Sequence, residues 1–108
     1  MEHINKVELQ GRVGAVRTNE YSGAKVANFS LATDVLYKTK DGRAVAETTW
    51  HQVVVWQQVT KVDVESVCKG DIVKVTGRLR TTSYRSTTGE NKVMVEVLAG
   101  TLEMIESV

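Results

Sequence analysis

The segment Thr48-Thr49-Trp50-His51-Gln52-Val53-Val54-Val55-Trp56 decides the fold of this 108-residue chain. It is rich in β-branched and aromatic residues and lacks Gly and Pro, so it predicts a β-strand. Because side chains alternate across a strand, one face carries Trp50, Gln52, Val54 and Trp56. The other face, with His51, Val53 and Val55, suits a hydrophobic core. Two indoles facing away from a core indicate either a binding surface or packing under a loop or a second subunit.

Two further strands precede this segment. Apolar and polar residues alternate from Ile4 to Val16, where Gly11 and Gly14 are expected to produce a bend or a bulge. A polar stretch over Arg17–Gly23 predicts a loop. A second strand is expected from Ala24 to about Val35.

The segment Tyr37–Arg43 predicts a basic hairpin tip, because its Asp-Gly pair favours the positive φ angles of a tight turn. After the Trp50–Trp56 strand, the apolar residues of Gln58–Lys69 recur with a helical period, which predicts a short helix. Gly70 lies where a helix C-cap is expected. Cys68 is interpreted as a small buried hydrophobic residue of that helix.

Strand periodicity returns after the helix. Asp71–Arg80 is expected to point Val73, Val75 and Leu79 inward. Ser86–Asn91 predicts a polar turn, and Lys92 to about Ala99 predicts a last strand with Val93, Val95 and Val97 inward. A stretch over Gly100–Ile105 could extend it. Three strands, one short helix and two strands predict an all-β, five-stranded Greek-key OB-fold barrel, whereas a rival SH3-like barrel lacks such a helix.

Composition and charge narrow the class of protein. The chain is 42% hydrophobic and 25% charged, which fits one soluble domain over residues 1–108. Its net charge is only +1, but basic residues outnumber acids between Lys69 and Arg85, and acids predominate after Gly89. The single cysteine fits a reducing cytoplasm. No secretory signal or membrane-length apolar run is present, so a cytoplasmic location is expected.

Signatures of catalysis are missing from the sequence. His3 and His51 are the only histidines, and neither has a neighbouring ligand at metal spacing. No phosphate-binding glycine loop or nucleophile motif occurs. We therefore expect no enzyme activity, no metal and no cofactor.

Aromatic and basic residues instead cluster on the predicted strand 3, on the hairpin that precedes it, and on strand 4 with its loop. Single-stranded nucleic acid is bound by aromatic rings that stack on bases and cations that contact phosphates. Strands 2–3 and the adjoining loops form the oligonucleotide face of an OB-fold. The expected ligand-binding residues there are Trp50, Trp56, Tyr37, Tyr84, Lys38, Lys40, Arg43, Arg78, Arg80 and Arg85. For Tyr37 and Tyr84, anchoring of a loop is the alternative.

The chain resembles the bacterial single-stranded DNA-binding proteins over nearly its whole length. The segments that carry the resemblance are Asn5-Lys6-Val7, Val26–Thr33, Thr49–Val54, Lys69–Asp71 and Gly77–Thr81. The resemblance implies a homotetramer, a dimer of dimers, that binds single-stranded DNA without sequence preference in replication, recombination and repair, close to the nucleoid.

The resemblance also assigns individual residues. Trp50, Trp56 and Tyr84 match stacking aromatics of the family, and Tyr37 matches a loop aromatic if the hairpin is one residue shorter here. Arg17 matches a basic residue near the end of the first strand. Family members normally continue into a tail with an acidic tip that recruits repair proteins. The present sequence ends at Val108, so recruitment of that kind is not expected from these residues.

Two other functions remain open at this point. Primosomal replication protein N, a relative without the tail, shares the fold and acts as a dimeric adaptor in replication restart. The tryptophan pair favours a general single-strand binder over such an adaptor. An RNA-binding OB module is a third possibility, because base stacking does not distinguish RNA from DNA.

Overall fold

The structure is a computed structural model that describes residues 1–108. Its five strands are β1 (Val7–Tyr21), β2 (Ala24–Lys38), β3 (Ala44–Trp56), β4 (Ile72–Arg85) and β5 (Asn91–Glu106). They form a closed barrel in the order β1-β2-β3-β5-β4. Strands β3 and β5 run parallel, and the other neighbours are antiparallel. The predicted OB-fold barrel is confirmed.

The core contains one face of each strand. Phe29 and Leu31 of β2 pack with Val53 and Val55 of β3, all at most 2% exposed. Valines of β4 and β5 complete the same cluster. Alternation therefore assigned the inner face of β3 correctly, and His51 at its edge is half-buried, with Nε2 2.9 Å from Thr33 Oγ1.

The first hairpin is longer than predicted. Strand β1 continues to Tyr21, so most of the predicted Arg17–Gly23 loop is strand. Only Ser22 and Gly23 form the connection, with φ angles of 52° and 83°. Positive φ at both central residues matches the twist of a two-residue hairpin turn. The stretch was predicted as a loop because it is polar, but most of its side chains are polar because they face solvent from a strand.

A β-bulge interrupts β1 at one of the two predicted glycines. The pairing of β1 with β2 shifts register between Val13 and Val16, around Gly14. The Ala15 amide donates a hydrogen bond to Ser30 Oγ at 3.1 Å, which satisfies a donor displaced from the ladder.

The predicted helix over Gln58–Lys69 is wrong. The connection contains only two single 3-10 turns, Gln57–Val59 and Val64–Ser66. The Gln57 side chain donates to the carbonyls of Thr60 and Val62 and accepts from the Val64 amide, at 3.3, 2.8 and 2.9 Å. These bonds stabilise a non-helical loop by satisfying backbone groups that a helix would pair internally.

The valines that suggested a helical face do not share one environment. Val67 is buried and Val62 is half-buried, but Val59 is 40% exposed. Cys68 is exposed, so its interpretation as a buried residue is wrong too. Gly70 does adopt a positive φ of 98°, but it lies in a turn and not at the end of a helix. Its backbone amide donates a hydrogen bond to the Val13 carbonyl.

Two hairpin arms extend beyond the barrel. They lie at the same end because each arm contains the beginning of β3 or β5, and these two strands run parallel. The β2–β3 arm turns at Thr39–Arg43 and the β4–β5 arm at Ser86–Glu90. Leu79, Val93 and Val95, which were expected to point into the core, are 46%, 67% and 58% exposed. They keep the predicted alternation, but they lie in the hairpin arm, where no opposing strand of the barrel covers them.

Candidate nucleic-acid interface

The two tryptophans lie on the outer face of β3, as predicted. Trp50 is 56% exposed and pairs across the ladder with Ala32 of β2. Trp56 pairs with Val26 and is half-buried. Its ring lies 6.2 Å from the ring of Tyr21, tilted by 53°, within the distance at which aromatic pairs attract. Trp50 is therefore the more accessible stacking surface.

The Trp50 indole packs against the backbone of Gly14. A Cβ atom on Gly14 would lie 2.7 Å from Trp50 Cζ3 and 2.5 Å from Ser30 Oγ. These distances are too short for any side chain, so the ring edge rests directly on the β1 backbone. The indole thus leans across β2 towards the bulge, and the rest of the ring stays in solvent.

A groove of about 390 Å³ lies on the same sheet face, between the positions of Trp50 and Trp56. Its lining includes Arg17 of β1, Asn28 and Ser30 of β2, and Gln52 of β3. The register places Arg17 beside Asn28 and Gln52 beside Ser30. The side-chain amides of Asn28 and Gln52 have no hydrogen-bond partner within the protein, so they remain available to a ligand.

The sequence analysis did not identify four residues of this surface as site residues: Gln52, Asn28, Ser30 and Tyr21. Gln52 shares the parity of the tryptophans, and Asn28 and Ser30 alternate with the core residues of β2. That alternation is a signal that could have identified all three. Tyr21 could not be found in this way, because its predicted position was in a loop.

Tyr37 and Tyr84 lie apart from the tryptophan face. Tyr37 pairs with Val45 and follows Ala32 by an odd number of residues, so it projects from the opposite face of the β2–β3 arm to Trp50. Tyr84 pairs with Lys92 near the end of the β4–β5 arm. Both are about half exposed, at 47% and 50%. The structure therefore brings together Trp50, Trp56 and Arg17, and places the tyrosines on the two arms.

Five of the predicted cations are exposed and take part in no ion pair: Arg17, Lys38, Lys40, Arg78 and Arg85. Arg43 instead pairs with Asp41 at the hairpin tip, with 3.0 Å between Nε and Oδ2. A hydrogen bond from the Thr39 hydroxyl lowers the pKa of Asp41, and the bond from Arg43 acts in the same direction. Arg43 therefore has an ion-pair partner in the tip, although both side chains are largely exposed.

Arg80 is engaged within the protein. Its Nε lies 2.7 Å from Glu96 Oε1, across the β4–β5 ladder, and the Glu96 side chain is only 6% exposed while that of Arg80 is 36% exposed. A carboxylate at this depth needs a counter-charge. The geometry therefore gives Arg80 a structural partner, in contrast to its neighbour Arg78.

The structure has neither a metal-binding cluster nor a membrane-spanning helix. No group of three or more His, Cys, Asp or Glu side chains is arranged to hold a metal ion. None of its helices has the length and apolar character required to cross a membrane.

A barrel that exposes an aromatic ring, free amides and free cations on the β1–β2–β3 face has the features of an oligonucleotide-binding OB-fold. The profile of the single-strand binding protein family matches residues 4–105. The chain belongs to this family.

Individual relatives agree with this assignment. Single-stranded DNA-binding protein 1 of Chlorobaculum tepidum is 33% identical over 94% of this chain and 65% of its own length. The single-stranded DNA-binding protein of Neisseria meningitidis is 28% identical, over 94% of this chain and 60% of its own length. The chain thus spans less than two thirds of these curated relatives. The Plasmodium falciparum SSB, solved in complex with ssDNA, superposes with a TM-score of 0.79 at 29% identity, covering 100% of this chain and 98% of that one.

Proposed function

We propose that this chain binds single-stranded DNA without sequence preference, and that it protects such DNA during replication, recombination and repair. The observation that carries the proposal is the exposed Trp50 ring on a sheet face that also offers Arg17 and two unpartnered amides. Every base has a π-face, so stacking on such a ring tolerates any sequence. Membership of the single-strand binding family supports the same function.

The side chains of the proposed binding surface have two roles, base stacking and phosphate contact. Trp50 and Trp56 stack on bases, Tyr37 and Tyr84 provide further rings on the arms, and the cations contact phosphates. Arg17, Lys38, Lys40, Arg78 and Arg85 are the free cations, whereas Arg43 and Arg80 would have to exchange an internal partner for a phosphate. The role is one of binding, without catalysis and without a cofactor, and we propose that it is exercised in the cytoplasm at the nucleoid.

The salt dependence of binding tests the phosphate contacts. If about four to six phosphates are neutralised per subunit, the slope of log K against log salt should be roughly −3 to −4, at about −0.7 per contact on single strands. The measurement is a titration of oligo-dT at several salt concentrations. A slope near zero would contradict the cationic half of the proposal.

We further propose a homotetramer built from two dimers. Residues Val7–Gly11 of β1 pair with β4 on one edge, while pairing with β2 begins only at Arg12. The other edge of this segment is therefore free to pair with its twofold mate, around Ile4 to Leu9. Light scattering at micromolar concentration should return the mass of a tetramer. A monomer would reject the proposal, and a stable dimer would favour an adaptor of the primosomal replication protein N type, which the matched family and relatives do not favour.

A further inference from the structure

A second cleft lies on the other side of Trp50, between β3 and the β4–β5 arm. It has a volume of about 230 Å³, and its walls include Trp50, Gln52, Leu79, Val95 and Glu96, with Val97 of the core at its base. It exists because β3 and β5 pair only at Val53–Val97 and Val54–Leu98. Before those positions the two strands diverge into separate arms.

One wall of this cleft is apolar and uncovered. Leu79 and Val95 expose 46% and 58% of their surface, although both continue the core-facing side of their strands. Contiguous apolar side chains left in solvent commonly mark a binding surface.

The cleft also lacks an uncompensated negative charge. Glu96 is the one acid in its lining, and its carboxylate is paired with Arg80 at 2.7 Å. A polyanion could therefore pass the cleft without meeting a free carboxylate there.

We propose that this cleft is a second base-binding site, which receives the nucleobase next to the one stacked on Trp50. The base would lie against Leu79 and Val95, and Gln52 would contact its polar edge. Gln52 lines both the groove beside Arg17 and this cleft, and its amide has no partner in the protein. This inference rests on the proposed binding of single-stranded DNA and adds an aliphatic base contact to it.

The nucleobase is favoured as occupant by continuity with Trp50. A base is flat, with an apolar face and a polar edge, which matches an aliphatic wall beside a free amide. A second copy of the chain covering the same wall is the competing occupant. The oligomer affinities and the masses of cleft variants distinguish these two occupants.

The test compares Leu79→Ser and Val95→Thr with the control Ile105→Ser. Ile105 is 48% exposed on β5 but does not line the cleft. Val95→Thr nearly conserves side-chain volume, so it carries the test if Leu79→Ser fails to fold. Each variant is titrated with oligo-dT and with an abasic deoxyribose-phosphate oligomer of equal length, and its mass is measured by light scattering.

We expect the cleft variants to lose about fivefold in affinity for oligo-dT, which equals the lower end of what an aromatic ring contributes by stacking on one base. Their affinity for the abasic oligomer and their mass should match wild type, and Ile105→Ser should change neither affinity. Unchanged oligo-dT affinity, an equal loss on both oligomers, or a smaller assembly would each overturn the base site. If wild-type protein itself fails to bind oligo-dT, the proposed function fails, which is a distinct result.

Discussion

Trp50→Ala is expected to weaken binding of oligo-dT by about 1–3 kcal/mol, because one base loses its aromatic partner. The fold should survive, since Trp50 is 56% exposed and its removal empties a surface position above Gly14. Circular dichroism and urea unfolding of the variant should therefore resemble wild type, while its dissociation constant for oligo-dT rises.

The matched control is Val53→Ala on the opposite face of the same strand. Val53 is 1% exposed, so truncation leaves a cavity in the core and should lower the free energy of unfolding by about 1–3 kcal/mol. Its affinity for oligo-dT, measured where the variant is folded, should stay close to wild type. If Trp50→Ala unfolds the protein or leaves the affinity unchanged, the ring belongs to the structure and not to the binding surface.

Arg80→Ala is expected to lower the free energy of unfolding by about 3 kcal/mol, because it leaves the Glu96 carboxylate buried without a counter-charge. We place the value at the lower end of about 3–5 kcal/mol for broken buried pairs, since Arg80 is 36% exposed and water can reach the site. Urea denaturation measures the loss. The neighbouring Arg78→Ala, which breaks no ion pair, should change stability by less than about 0.5 kcal/mol.

A double variant separates structure from binding at this pair. Replacing both Arg80 and Glu96 by Leu removes the buried charge together with its partner, so much of the lost stability should return. If Arg80→Ala instead retains wild-type stability and loses affinity for oligo-dT, Arg80 contacts phosphate and its pairing with Glu96 is dispensable.

Strand alternation predicted much of the barrel and of its binding face. The parity of Trp50 and Val53 follows from an uninterrupted run of β-branched and aromatic residues, and the structure places the first outside and the second inside. Val54 shows the limit of parity, because it faces outward yet is only 5% exposed between Asn28 and Leu98 on the neighbouring strands. Exposure depends on neighbours that a single strand does not reveal.

The errors have physical causes of two kinds. The helix over Gln58–Lys69 was inferred from the spacing of its valines, but these belong to a loop that side-chain hydrogen bonds from Gln57 stabilise. The exposure of Leu79 and Val95 could not be predicted, because it depends on where β3 and β5 diverge. The position of Tyr37 relative to Trp50 likewise depends on how far the β2–β3 ladder continues before its turn.

The most direct test of the central claim is the intrinsic tryptophan fluorescence of the wild-type protein during titration. Trp50 and Trp56 are the only tryptophans, so the signal reports on the outer face of β3 alone. If bases stack on these rings, oligo-dT should quench the emission to a saturating plateau, and a duplex of equal length should leave it nearly unchanged. Emission that oligo-dT does not alter, or that both nucleic acids quench alike, would contradict the claim.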